Sequence, residues 1–184
     1  MRFLSCLFAL IVGLSVSLSS ARAEPITDPE NTLIMMLKTG RVVIALRPDL
    51  APHTVYRVKQ LARQGFYDGT PWHRVIDGFM AQGGDPTGSG NGGSGFKLQA
   101  EFSAEPFSRG AVAMARASGF DSGDSQFFIC LADSSKLNGK YTIWGKVIDG
   151  MENVDEIKKG DEAKDGRVTA PDRIIWMKVA SDVK

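Results

Sequence analysis

The stretch Phe66-Tyr-Asp-Gly-Thr-Pro-Trp-His-Arg-Val-Ile-Asp-Gly-Phe-Met-Ala-Gln-Gly-Gly-Asp85 decides how this chain is read. From Arg74 to Gln82 residue types alternate, and the run stops at Gly83-Gly84, so the pattern predicts a strand interrupted at Gly78. Side chains two apart on a strand share a face. Beyond Gly78, Met80 and Gln82 then point one way and Phe79 and Ala81 the other, while a bulge or kink at the glycine lets Phe79 swing round to join Arg74. The expected surface is an apolar saucer with a guanidinium and an amide at its rim. It offers one cation, two large apolar side chains and one amide, with no nucleophile beside a base. That inventory suits bending a bond, not cutting one.

Asn31 to Leu46 reads as two strands joined by a turn at Thr39-Gly40, a hairpin at the edge of a β architecture. His53 to Arg63 places Val55, Val58 and Leu61-Ala62 at helical spacing, and Gly65 supplies the left-handed residue favoured just past a helix end. Between Gly83 and Phe96 the glycine density excludes a regular element. Gly88, Gly90 and Gly93 satisfy G-x-G-x-x-G, but no helix opens after them, so a dinucleotide site is dismissed. Ala111 to Ala115, Gln126 to Leu131, Tyr141 to Val147 and Arg173 to Val179 are short, β-branched or aromatic-rich runs, which suggests a barrel or sandwich. Met151 to Ile157 fits a short second helix. No repeat, low-complexity tract or linker divides the chain after its leader, so residues 24–184 are expected to form one domain.

The 184 residues are 43% hydrophobic and 23% charged, with 22 Lys and Arg against 21 Asp and Glu. The charges are mixed along the chain, which argues against a nucleic-acid partner. At the N-terminus, Met1-Arg2 precedes an apolar run and the small-x-small pattern Ala21-Arg-Ala23, so residues 1–23 read as a secretory signal peptide cleaved after Ala23. The run is short for spanning ~30 Å of hydrocarbon, which disfavours an uncleaved anchor and leaves no membrane association after cleavage. Cys6 leaves with the signal. Cys130 is then alone, with no internal disulfide to form, and its apolar surroundings predict core packing.

Several ordered motifs together resemble a cyclophilin-type peptidyl-prolyl cis-trans isomerase. They are Phe66-Tyr-Asp-Gly-Thr70, His73-Arg-Val-Ile-x-Gly-Phe-Met-x-Gln-Gly-Gly-Asp85, Gly90-Asn-Gly-Gly93, Glu101-Phe102, Met114-Ala115, Ser125-Gln-Phe-Phe-Ile129 and Gly145-Lys-Val147. The resemblance runs from about Leu33 to the C-terminus. It implies a closed eight-stranded antiparallel barrel capped by two helices, with a peptide groove on its outer face. It also implies isomerisation of X-Pro bonds in the service of protein folding, with no cofactor and no metal. Arg74 is the expected catalytic donor to the prolyl nitrogen. Phe79, Met80, Phe128 and Leu137 form the expected proline seat, Tyr141 closes its wall, and Gln82, Gln126 and the main chain of Ala115-Arg116-Ala117 grip the peptide on either side.

His73 is expected to face away from Arg74 as a hydrogen-bonded structural histidine. With only two histidines and no Cys or His cluster, metal binding has no ligand set. Asp121-Ser-Gly-Asp124 reads as a turn, since the downstream glutamate of a calcium loop is missing. Arg116 is either a second substrate-facing cation or a solvated loop residue. Three positions depart from the familiar eukaryotic pattern: Lys136 stands where Trp is usual, Tyr141 where His is, and Arg116 where Asn is. Losing the indole argues against tight cyclosporin binding. With the leader, these departures suggest a bacterial exported member, periplasmic first, with secretion or residence in the endoplasmic reticulum as alternatives. It would act as a monomer on proline-containing peptides and unfolded exported proteins. The competing function is a peptide-binding chaperone that holds such segments without isomerising them; a secreted hydrolase lacks a nucleophile and base.

Overall fold

A computed structural model describes residues 26–184; the expected signal peptide, its expected cleavage point and Cys6 lie outside them. The described residues form eight strands and two α-helices: β1 (Thr32–Leu37), β2 (Gly40–Leu46), α1 (Pro52–Arg63), β3 (Arg74–Ile76), β4 (Met80–Gly83), β5 (Ala111–Met114), β6 (Phe127–Cys130), β7 (Ile143–Asp149), α2 (Met151–Asp155) and β8 (Trp176–Val179). All named strand pairs are antiparallel, in one sheet ordered β3-β4-β6-β5-β7-β2-β1-β8.

The sheet is an open half-barrel, which corrects the expectation of a closed one. β3 and β8 are its edges and do not pair with each other. The segments leading into them meet instead, through a single bridge between Pro71 and Arg173 and three backbone bonds: Trp72 N–H to Asp172 O at 2.9 Å, Gly69 N–H to Ile174 O at 2.7 Å and Ile174 N–H to Thr70 O at 2.9 Å. Pro71 has no N–H to give, so a regular ladder stops there.

The decisive stretch is a hairpin and not one interrupted strand. Phe79 N–H bonds to Ile76 O at 3.1 Å, and Gly78 takes φ 62°, so the chain reverses through Asp77-Gly78-Phe79. A turn with positive φ at its third residue favours glycine there. Reversal sets Arg74 opposite Gln82 and Ile76 opposite Met80. Arg74, Met80 and Gln82 therefore share one face because they are cross-strand neighbours. The first hairpin also turns one residue earlier than expected, through Lys38-Thr39, with Leu37 opposite Gly40.

Period-two alternation divides the sheet into an inner and an outer apolar layer. On β6, Phe127 and Ile129 point into the main core, while Phe128 and Cys130 join a second cluster with Met80, Phe107, Ala113, Leu137 and Ile143. In the main core the Phe127 ring meets Tyr67, Trp72 and Trp144 edge-on, each at 5.6 Å between centroids, an arrangement that aligns ring edges with ring faces. Cys130 is fully buried, and burial pushes its thiol up to about 11.

Helix α1 packs Val55, Val58 and Leu61 into that core. Its N-cap, Ala51, has no side-chain acceptor; the distant Glu101 carboxylate takes the N–H groups of His53 (3.0 Å) and Thr54 (2.8 Å) and the Thr54 hydroxyl (2.6 Å). A carboxylate there satisfies orphan donors and the positive helix end together. At the C-terminus, Gly65 (φ 67°) and Phe66 donate to Ala62 O and Leu61 O, the paired bonds of a Schellman stop.

Candidate functional site

On the outer face, β3, β4, β5 and β6 and the turns before β7 surround a hollow of about 190 Å3 lined by Arg74, Phe79, Met80, Gln82, Ala115, Arg116, Phe128, Leu137 and Tyr141. Nine of the eleven residues singled out from the sequence thus meet in one place. Met80 and Phe128 are almost fully buried at its base. Phe128 stacks on Phe107 and meets Tyr141 edge-on at 5.5 Å, which fixes both rings of that wall. The other two, Ala117 and Gln126, line an adjoining depression with Gln82, Ala115 and Arg116.

Arg74 sits at the rim with its side chain 30% exposed. Asp165 grips one edge of its fork: Nε donates to the Asp165 main-chain oxygen at 3.0 Å and to Oδ2 at 3.1 Å, and Nη2 donates to Oδ1 at 2.8 Å. The guanidinium in turn holds the Asp165 carboxyl below its usual range. The other edge faces the hollow. There Nη1 makes only long contacts, 3.3 Å to Gln82 Oε1 and 3.8 Å to Met80 Sδ. Sequence reasoning did not find Asp165, which lies 91 residues away along the chain; the Asp165-Gly166 turn pair was its one local trace.

A hydrogen-bonded chain continues from Gln82. Its Nε2 donates to Gln126 Oε1 at 3.0 Å, and Gln126 Nε2 donates to the carbonyls of Gly90 (2.9 Å) and Gly92 (2.8 Å). Both Gln126 amide hydrogens are therefore committed to the glycine loop, while Gln82 keeps one for a ligand. The loop is held from beneath by Asp85, which accepts from the N–H groups of Thr87, Gly90 and Gly92. Burial alone would raise the Asp85 pKa, but these donors and the Thr87 hydroxyl override it, to about 2.

On the facing rim, Ala115 N–H bonds to Gln126 O and Ala117 N–H to Ser122 Oγ, leaving the Ala115 carbonyl and Arg116 N–H without partners among the described residues. The Arg116 guanidinium lies over the rings of Tyr141 (4.8 Å) and Phe120 (5.0 Å) and donates to Lys140 O at 3.1 Å. It borders both depressions and is held as part of their wall, not solvated freely. The Lys136 ammonium covers the Phe79 ring at 3.9 Å, so a cation and its stem border that side of the hollow.

His73 differs from expectation. It is 7% exposed, but neither ring nitrogen has a hydrogen-bonding partner among the described residues. The glycine loop lies against it, a side chain at Gly90 beginning 3.7 Å from Nε2, and the Gly90 N–H is committed to Asp85. Burial lowers its pKa, opposed by the charge of Asp85. Ser125 is fully buried and donates to Gly84 O at 2.8 Å, which leaves it no nucleophilic role. Asp124 accepts from Ser94 and Gly95 N–H, tying its turn to the glycine loop.

A half-barrel carrying a small apolar seat on its outer face, with one guanidinium edge and one amide hydrogen turned towards it, is built to receive an apolar ring within a peptide. The cyclophilin type peptidyl-prolyl cis-trans isomerase family model matches residues 32–179. A probable peptidyl-prolyl cis-trans isomerase of Brucella suis is 46% identical over 196 residues, covering 100% of both chains. Peptidyl-prolyl cis-trans isomerase B of Bacillus subtilis is 44% identical over 136 residues, covering 72% of this chain and 94% of that one. A cyclophilin from Hirschia baltica superposes with a TM-score of 0.76 at 26% identity, covering 85% of this chain and 76% of that one. A cyclophilin-type isomerase of Cryptosporidium parvum, crystallised in the presence of the dipeptide Ala-Pro, gives 0.73 at 30% identity, covering 80% and 98%. The chain belongs to the cyclophilin-type peptidyl-prolyl cis-trans isomerases, and its reaction is the cis-trans isomerisation of peptide bonds preceding proline.

Proposed function

We propose that Arg74 drives the isomerisation by donating a hydrogen bond to the prolyl nitrogen while the proline ring occupies the seat of Phe79, Met80, Phe128, Leu137 and Tyr141. The bond before proline is held by amide resonance behind a barrier of ~18–20 kcal/mol. In the planar ground state the nitrogen lone pair is delocalised and accepts poorly. Only as the bond twists does nitrogen become pyramidal, and a donor placed there binds the transition state better than either isomer. Arginine keeps its charge at any relevant pH and presents a fixed fork, which lysine does not.

The observation that carries this reading is the division of the guanidinium: one edge saturated by Asp165, the other turned to the hollow with only long contacts. Such contacts exchange for a better acceptor at little cost. The free Gln82 amide hydrogen, the Ala115 carbonyl and the Arg116 N–H then hold the peptide main chain on one flank while the other rotates. The ligand class is a proline-containing peptide, in line with the Ala-Pro dipeptide used with the Cryptosporidium protein.

The chain is further proposed to act after export, as a monomeric single domain of residues 24–184 in the periplasm, assisting unfolded exported proteins. The pattern from Met1 to Ala23 supports this. A protease-coupled proline assay on the mature chain tests the catalytic reading against a chaperone that only holds peptides. Acceleration that collapses in Arg74→Ala and Arg74→Lys, with peptide affinity retained, is expected; affinity without acceleration in the unaltered protein would favour the chaperone.

A further inference from the structure

Resting on the reading that Arg74 is the donor, we propose that Asp165 is its positioning residue, and that isomerisation depends on the carboxylate and not only on the turn that carries it. An arginine at a groove rim has four torsions to sample, and a donor that must meet one nitrogen loses effectiveness in every wrong rotamer. Asp165 supplies a carboxylate on Nε and Nη2 and a main-chain oxygen on Nε, from one residue. The fork is thereby held along one edge, and Nη1 is the part aimed at the seat.

The support is itself tied to the strand that bears Arg74. Val75 N–H bonds to Gly166 O at 2.8 Å, Gly160 N–H bonds to Val75 O at 2.9 Å, and Arg74 bridges Arg167. Gly166 lies so close to β3 that a side chain there would begin 2.4 Å from Ile76 Cγ1. Carboxylate and guanidinium are thus referenced to one rigid hairpin. Asp165 adopts φ 54°, a left-handed conformation that glycine takes without strain. What aspartate adds over glycine at this position is its carboxylate. The Asp165 side chain is 78% exposed, so water screens its charge at the substrate while the short, directional grip persists.

Asp165→Gly removes the carboxylate and keeps the turn, and Asp165→Asn keeps an acceptor for Nη2 in a residue that tolerates positive φ. Measured by exchange spectroscopy on a proline peptide, Asp165→Gly is expected to lower kcat about three- to five-fold with KM unchanged, the scale of an exposed paired contact. Asp165→Asn should recover most of that loss. The Arg74 Nε–H resonance should exchange with water faster in Asp165→Gly, at an unaltered melting temperature. On an Arg74→Ala background, Asp165→Gly should cost nothing further. Unchanged kcat in Asp165→Gly, or an equal loss on both backgrounds, overturns the positioning role while leaving Arg74 as donor. An Arg74→Ala protein as active as the wild type would instead overturn both.

Discussion

In the proposed binding mode Phe128 serves binding and not rotation, so its removal should separate the two. Its ring is 5% exposed at the base of the seat, between Phe107 and Tyr141, and lies cross-strand from Gln82 and Ala113. In the proposed binding mode the base contacts the proline ring in the cis, trans and twisted states alike, so its contribution would be uniform and fall on KM. A proline ring carries three methylenes; at ~0.8 kcal/mol each, full burial is worth ~2.4 kcal/mol, and losing the base removes about half. The expected rise in KM for Phe128→Ala is therefore about eight-fold, with kcat within about two-fold of wild type. Stability falls separately, by ~3–5 kcal/mol for an emptied Phe site, so the assay is run cold and the milder Phe128→Leu is measured beside it. Exchange spectroscopy at several peptide concentrations gives both constants. A fall in kcat with KM unchanged would refute the assignment of the base to ring binding.

His73 makes stability pH-dependent. Its folded pKa lies below the ordinary 6.5 because of burial, so below pH 6.5 the unfolded chain binds a proton that the folded chain still refuses. Stability is expected to decline as pH falls from 6.5 through the folded value; denaturant midpoints should show this and show less of it in His73→Gln, and parallel declines would clear His73 of the effect. For export, the protein recovered from a periplasmic extract should begin at Glu24, and a cytoplasmic protein retaining Met1 would remove the proposal.

The lining of the hollow was legible in the sequence because its residues lie in compact, ordered motifs; period two adds only that the adjacent Phe127 and Phe128 take opposite faces of β6, and the motif match is what set Phe128 on the outer one. What failed was the connection at Gly78. The alternation continues evenly across Asp77-Gly78, so a reversal and a kink give the same residue pattern, and only the Asp-Gly pair hinted at the hairpin that places Arg74 beside Gln82. Closure of the sheet was illegible for a related reason. Whether β3 and β8 pair depends on how Pro71 and Arg173 meet, and nothing local to either segment records that. Asp165 and His73 show the same limit from the polar side, since partners supplied by distant turns, or withheld by them, leave no periodic trace.

A guanidinium edge of Arg74 that weakens amide resonance as the prolyl bond twists should matter to rotation and not to binding. Exchange spectroscopy on a short proline peptide, with wild type and Arg74→Ala at matched saturation, tests it most directly because it reports affinity and rotation from the same spectra. Interconversion on the protein is expected to slow by ~10²–10³-fold with peptide affinity changed less than about two-fold. Interconversion as fast as before, or equal losses in rate and affinity, would contradict it.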